Sequence, residues 1–185
     1  MKTLLDHIVI IENAVTYALC DAVLNEYKNC ADWIPAITAE GRSDAQRQCS
    51  NIGISFKQII EKNQKIRKDL DSYLYVSAAN AIKQYREKYP KCGIKEDTGY
   101  DLLKYEVGQF YTTHTDSFKD RPRAVSCSFA LNDDYEGGEF AFFDRELVYK
   151  LKKGDALMFP SNFMYPHEIM PVTSGIRYSI VTWFV

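Results

Sequence analysis

AVSCSFALNDDYEGGEFAFFDRELVYKLKKGDALMFP, residues 124–160, carries the pattern that decides the fold. Short apolar and aromatic runs recur at Ala124–Leu131, Phe140–Phe143, Leu147–Leu151 and Ala156–Phe159. Between them stand Asn132-Asp133-Asp134, Gly137-Gly138 and Gly154, residues that tolerate tight-turn backbone. Runs of this kind, punctuated this way, predict short strands joined by turns. The same texture continues on both sides. Upstream lie Gly99–Val107 and Phe110–His114, broken at Gly108. Downstream lie Glu168–Pro171 and Ile176–Val185, broken at Gly175. So many short strands predict a sandwich or a double-sheet jelly roll.

Before residue 95 the character differs. HIVII (His7–Ile11) reads as a first strand. Val15, Ala18, Leu19, Ala22, Val23 and Tyr27 then fall at helical spacing along one apolar stripe. Residues 30–55, with Pro35, Gly41 and Gly53 among polar neighbours, read as a long loop containing at most a strand. A helical region follows from Ser55 to Tyr89, where Leu70, Tyr73, Leu74, Ala78, Ala81 and Tyr85 form a second stripe, and Pro90 ends it. The expected architecture is therefore α+β. A double-stranded β-helix, or jelly-roll, core over residues 96–185 holds the site. N-terminal helices within residues 1–95 pack on one sheet, and residues 1–185 form one domain.

Composition narrows the function. The chain has 185 residues, a net charge of −2 and a pI near 5.9. A nucleic-acid partner would call for a basic excess or stripe, and neither is evident. No apolar run is long enough to cross a bilayer, and the charged N-terminal segment does not resemble a signal peptide. A cytoplasmic protein without a membrane partner is expected. The five cysteines (Cys20, Cys30, Cys49, Cys92, Cys127) form no CxxC pair, so they read as reduced thiols rather than a zinc site or disulfide framework. Oligomeric state is not legible in the sequence.

Two of the three histidines lie in the strand-rich half. In His114-Thr-Asp116, extended backbone would point both side chains to one face. An HxD triplet by itself is commonly a surface pair. With His167, which follows Pro166, it would supply two imidazoles and one carboxylate. Such a set occupies one face of a metal and leaves positions open, the pattern of non-haem Fe(II) oxygenases. Ten residues on, Arg177 interrupts the nearly apolar strand GIRYSIVTWFV, sharing a face with Ser179, Val181 and Trp183. A buried guanidinium needs an anionic partner. Either a protein carboxylate or a bound dicarboxylate would serve, since the guanidinium fork matches carboxylates bidentately.

These residues carry a resemblance. YEVGQFYTTHTD (Tyr105–Asp116), FALNDDYEGGEFAFF (Phe129–Phe143), LKKGDALMFP (Leu151–Pro160) and YPHEIMPVTSGIRYSIVTWF (Tyr165–Phe184) resemble, in this order, the prolyl 4-hydroxylase-like branch of the Fe(II)/2-oxoglutarate-dependent dioxygenases. The N-terminal HIVIIENAVTYALCDAV is similar to that branch's opening strand and helix. Within the branch, YEGGEF and PVTSGIRYSIVTWF look like the small bacterial and phage PKHD-type hydroxylases.

The resemblance implies Fe(II), 2-oxoglutarate and O2, with ascorbate as accompanying reductant. It implies His114, Asp116 and His167 as iron ligands, and Arg177 against the distal carboxylate of 2-oxoglutarate. Many prolyl 4-hydroxylases carry lysine there, so arginine is a departure shared with PKHD-type relatives. Tyr105 matches a tyrosine lining the co-substrate pocket, and Trp183 an aromatic near the metal. Tyr111 either lines the cavity or packs, because Gly108 leaves the strand parity open. Gly137-Gly138 matches a structural turn.

The implied reaction hydroxylates an unactivated C–H bond, of a prolyl residue in a peptide or protein, with succinate and CO2 as co-products. A free amino acid or other small molecule is the alternative substrate. A non-catalytic binding or sensing module on the same scaffold is the alternative class, although such a module would have lost a ligand or the arginine. Substrate contacts are expected from Asp32–Gly53, with Trp33, Arg42 and Arg47, and from Ser117–Arg123. The mixed charges of Phe118–Arg123 read more readily as a solvated loop.

Overall fold

The computed structural model describes residues 2–38 and 40–185; Met1, and Ala39 of the long loop, lie outside them. The strands are β1 (Val9–Ile11), β2 (Ile34–Pro35), β3 (Ser50–Gly53), β4 (Asp101–Tyr105), β5 (Tyr111–His114), β6 (Val125–Ala130), β7 (Glu136–Gly137), β8 (Phe140–Phe142), β9 (Leu147–Tyr149), β10 (Ala156–Pro160), β11 (His167–Ile169), β12 (Val172–Ser174) and β13 (Arg177–Phe184). The helices are α1 (Tyr17–Tyr27), α2 (Lys57–Ile60) and α3 (Gln64–Lys88). Seven strands form the larger sheet in the order β1-β10-β6-β13-β4-β3-β2. Four form a second sheet, β5-β11-β8-β9, and β7 and β12 make a short ribbon. The pairings are antiparallel throughout.

Side-chain alternation in β13 sets the layers. Ile180 and Phe184, with Leu102 of β4 and Val125, Cys127 and Phe129 of β6, face the helices. There they meet Cys20, Val23 and Tyr27 of α1 and Leu70, Leu74, Ala78, Ala81 and Tyr85 of α3. On the opposite face Leu103, Tyr105, Ala130, Leu157 and Phe159 pack against Phe140, Phe142 and Ile169 of the second sheet. The helices thus cover one side of the larger sheet, and the other side is left to build a cavity between sheets.

Several boundaries differ from expectation for local reasons. His7 lies in a 3-10 turn, Leu5–His7, so the first strand is shorter. Thr16 caps α1 by accepting from the Leu19 amide at 3.2 Å, which places Val15 before the helix. The region Ser55–Tyr89 is not one helix: α2, a 3-10 turn (Glu61–Asn63) and α3 succeed one another. Tyr73 is 60% exposed, and the buried row of α3 runs instead through Arg67. That buried charge is matched by Glu26 at 2.6 Å and Asp32 at 2.9 Å. The strand expected at Glu168–Pro171 starts one residue earlier and ends at Ile169 as β11; Pro171, which has no amide hydrogen to extend a ladder, separates it from β12. The Pro171 carbonyl instead accepts from the Gly138 amide at 3.2 Å. No helix among the described residues is long and apolar enough to cross a membrane.

The Gly137-Gly138 turn is fixed by this contact. Gly137 has φ +71°, and a Cβ there would stand 2.2 Å from the Pro171 carbonyl oxygen. Gly137→Ala should therefore combine left-handed strain with a backbone clash, costing on the order of 1–3 kcal/mol. A denaturant midpoint indistinguishable from that of the parent protein would contradict this.

Candidate active site

β5, the turn that follows it, and β11 deliver the site's donor atoms. His114 ends β5 and His167 begins β11, and the two residues are register partners. Asp116 lies just beyond β5, where its amide and that of Ser117 both donate to the Ser161 carbonyl, at 3.2 and 2.9 Å. One donor atom from each of His114, Asp116 and His167 falls within 4.8 Å of the others. His114 Nε2 is 3.5 Å from Asp116 Oδ1, and His167 Nε2 is 3.7 Å from Asp116 Oδ2.

The backbone fixes which ring nitrogen faces inward. Nδ1 of His114 contacts the Thr112 carbonyl at 2.8 Å, and Nδ1 of His167 the Tyr165 carbonyl at 3.1 Å. A carbonyl only accepts, so each Nδ1 carries the hydrogen and, in the neutral ring, Nε2 presents a lone pair. Burial, helped by nearby His114, pushes His167 down to about 4, so it is neutral near pH 7. Burial would raise the Asp116 carboxyl. The adjacent His167 and His114, and a 2.7 Å hydrogen bond from Ser126 Oγ, outweigh it and hold Asp116 well below the usual carboxylate range. Three electron-rich atoms therefore converge on one point, an arrangement that a divalent cation neutralises.

Ser126 and Ser161 escaped the sequence reading. Ser126 Oγ lies 2.8 Å from Ser161 Oγ and donates to Asp116, fixing the carboxylate's rotation. Nothing in the spacing of two serines 35 residues apart signals this. Loss of such an orienting partner typically lowers metal affinity about 10–100-fold. Ser126→Ala should show that loss in a calorimetric Mn(II) titration, and an unchanged affinity would refute the role.

Arg177 is 3% exposed, yet no carboxylate among the described residues lies within ion-pair distance of it. Its NH1 donates to Ser179 Oγ at 3.0 Å, and its guanidinium carbon lies 5.1 Å from the Tyr105 ring centre and 5.3 Å from that of Phe140. The Tyr105 hydroxyl is fully buried and has no hydrogen-bond partner among the described residues. Burial pushes that phenol far up, so it stays protonated and able to donate. Gly138 makes room for Arg177: a Cβ there would meet Arg177 Cδ at 2.9 Å.

One cavity of about 830 Å³ joins these features, lined by the triad, Arg177, Tyr105, Tyr111 and Trp183. Tyr111 both lines it and packs. Its ring stacks on His114 at 3.5 Å between centres, and the Arg47 guanidinium carbon lies 4.6 Å from the centre of the same ring. Arg123 stacks over Trp183 at 3.6 Å and donates to the Asp116 carbonyl at 3.0 Å. Lys119, Asp120, Arg121 and Pro122 are exposed, as expected of a solvated loop, while Phe118, Asp120, Arg121 and Arg123 also border the cavity. Within the long loop, Arg47 reaches the cavity. Arg42 instead pairs with Asp44, and Trp33 packs towards the helices, donating to the Tyr27 carbonyl at 3.0 Å.

Residues 100–185 match the family model described as the 2OG-Fe(II) oxygenase superfamily. The strand-rich part of this chain, residues 100–185, is thus similar to that superfamily, over somewhat less than half of the chain. Among curated relatives, a PKHD-type hydroxylase of Idiomarina loihiensis is 35% identical over 88 residues, covering 44% of this chain and 39% of that protein. One from Rippkaea orientalis is 28% identical over 131 residues, covering 64% of this chain and 58% of that protein. The chain thus matches well under two thirds of the length of these relatives.

Solved oxygenases share the fold. A Trichoplax adhaerens prolyl hydroxylase, solved with a hypoxia-inducible-factor oxygen degradation domain peptide fragment, superposes with TM-score 0.76 at 21% identity, over 96% of this chain and 83% of that one. A Pseudomonas putida prolyl-4-hydroxylase gives 0.71 at 21% identity, over 96% and 91%. The superfamily implies Fe(II), 2-oxoglutarate and O2. The donor set fits the first, and a buried arginine that meets no acid among the described residues, beside a buried phenol that meets no hydrogen-bond partner among them, fits the second.

Proposed function

We propose that the protein is a 2-oxoglutarate-dependent dioxygenase that hydroxylates a prolyl residue of a peptide or protein. The supporting observation is a buried Arg177, with no acidic partner among the described residues, opening onto the same cavity as His114, Asp116 and His167. In this reading residues 1–185 form one jelly-roll domain supported by its N-terminal helices.

His114, Asp116 and His167 hold Fe(II). When bound, iron and 2-oxoglutarate supply the oxidative chemistry, in which one atom of O2 goes to succinate and the other to the substrate C–H bond, with release of CO2. Arg177 accepts the distal carboxylate of 2-oxoglutarate in its fork, and the Tyr105 hydroxyl donates a further hydrogen bond to it. With Arg177 at one end and the triad at the other, a bound 2-oxoglutarate would have its keto-acid end towards the triad. Phe140, Phe159 and Ile169 keep that end of the cavity apolar and dry. Trp183, held flat under Arg123, leaves the remaining wall to the substrate. The protein's own contribution is positioning and water exclusion, with no side chain acting as nucleophile.

Mass spectrometry of a proline-containing peptide library after incubation with Fe(II), ascorbate and 2-oxoglutarate tests the substrate assignment. The expected product is one oxygen atom heavier at a proline. Hydroxylation confined to other residues or to free small molecules would overturn it.

A further inference from the structure

A second unmatched charge lies in the cavity, and it is an anion. Asp101 opens β4 on the cavity face, in register with Val181 of β13 and Gly53 of β3. Val181 is in turn opposite Ser128 of β6. The next inward-facing row of the larger sheet pairs Trp183 with Ser126, the serine that holds Asp116. Asp101 is thus one two-residue step, roughly 7 Å, along the sheet from that row. Arg177 and Tyr105 lie two such steps away in the opposite direction.

Among the described residues no side chain or amide donates to the Asp101 carboxylate, and no cation lies within ion-pair distance. Burial pushes its carboxyl up, and the opposing pull of Arg47 and Arg123 does not cancel that. Both arginines are engaged elsewhere. Arg47 donates to the Ile37 carbonyl at 2.8 Å and to Cys49 Sγ at 3.2 Å, while Arg123 is held by the Asp116 carbonyl and Trp183. A half-buried carboxylate on a cavity wall, without a hydrogen-bonded partner among the described residues, is placed to take its counter-charge from a ligand. Co-substrate and iron do not supply it: 2-oxoglutarate is itself an anion, and the metal has Asp116.

We infer, resting on the dioxygenase reading above, that Asp101 is a specificity-determining residue that pairs with a cationic nitrogen of the substrate. The nitrogen is either a lysine or arginine side chain near the target residue of a peptide, or the α-ammonium of a free amino acid or chain terminus. Exposed Ile34, Ile37 and Phe56 line the same cavity and give the rest of such a substrate an apolar wall. The cavity is then dipolar: Arg177 selects the anionic co-substrate, Asp101 the cationic substrate.

Binding tests this without turnover. Calorimetry would be run anaerobically on protein loaded with Mn(II) and 2-oxoglutarate. The probes are proline peptides identical except for lysine, alanine or glutamate beside the proline, and free L-proline against its N-acetyl derivative. One charge-assisted hydrogen bond contributes about 1.5–3 kcal/mol, so the cationic probe should bind at least about tenfold tighter than its neutral partner. A preference within the peptide series assigns the side-chain source, and a preference for free over N-acetylated proline assigns the α-ammonium.

Asp101→Asn should erase the preference and Asp101→Lys should turn it towards the glutamate peptide, with thermal midpoints reporting that both variants are folded. Equal or tighter binding of neutral probes to the parent protein, or a preference that survives in Asp101→Asn, would overturn the assignment. Failure of the parent protein to take up 2-oxoglutarate at all would instead overturn the dioxygenase reading beneath it.

Discussion

Alanine at any one of His114, Asp116 or His167 is expected to reduce hydroxylation and succinate release to background. Tetrahedral zinc sites with four protein ligands bind with apparent free energies of about 10–16 kcal/mol, so one ligand contributes on the order of 3 kcal/mol, about 100-fold or more in metal affinity. The loss here has a second part. The His114 ring is stacked on Tyr111, and His167 is wedged among Phe140, Phe142 and Phe159, so neither neighbour can swing in as a substitute donor. Metal titration separates this from misfolding. His114→Ala, the most exposed of the three changes, should retain a cooperative thermal transition while losing Mn(II) uptake. Retention of metal affinity within threefold (about 0.6 kcal/mol) would mean that the three side chains do not form the metal site.

Arg177→Ala is expected to raise the dissociation constant for 2-oxoglutarate by about 2–5 kcal/mol, roughly 30-fold to several thousand-fold, because a buried carboxylate is left without its charged partner. Metal affinity in the absence of co-substrate should be nearly unchanged. Stability gives an independent sign. Without ligand, Arg177 is a buried cation whose polar and cation–π contacts among the described residues are a serine hydroxyl and two aromatic faces. Removing it should leave the ligand-free thermal midpoint unchanged or higher, whereas removing half of a structural ion pair would cost about 3–5 kcal/mol of stability and lower the midpoint. Arg177→Lys should recover part of the affinity, since it keeps the charge and loses the fork. An unaltered 2-oxoglutarate affinity in Arg177→Ala would refute the assignment.

Much of this was legible in the sequence where the pattern is local. The period-2 alternation of β13 predicts Arg177, Ser179, Val181 and Trp183 on one face, and all four line the cavity. The turn residues Gly137-Gly138 and Gly154 mark strand ends, and the apolar stripes mark the buried faces of α1 and α3. What failed is what depends on distant partners. Tyr73 fits the helical stripe, yet the buried row passes through Arg67, because Glu26 and Asp32, 41 and 35 residues away, neutralise it. Ser126, Ser161 and Asp101 carry no signal alone; each acquires its role from a strand register that joins remote segments. The run Phe118–Arg123 is the solvated loop its charges suggest, and only the fold shows Trp183 beneath Arg123.

The central claim is that one cavity holds Fe(II) at His114, Asp116 and His167 and 2-oxoglutarate between that metal and Arg177. Anaerobic calorimetry of 2-oxoglutarate into Fe(II)-loaded protein tests it most directly, with metal-free protein and Arg177→Ala as the comparisons and succinate measured once air is admitted. The predicted result is tight binding by the loaded parent protein, weak binding when either iron or the Arg177 guanidinium is absent, and succinate formed in step with 2-oxoglutarate consumed. Equal affinity in all three samples, or consumption without succinate, would contradict the account.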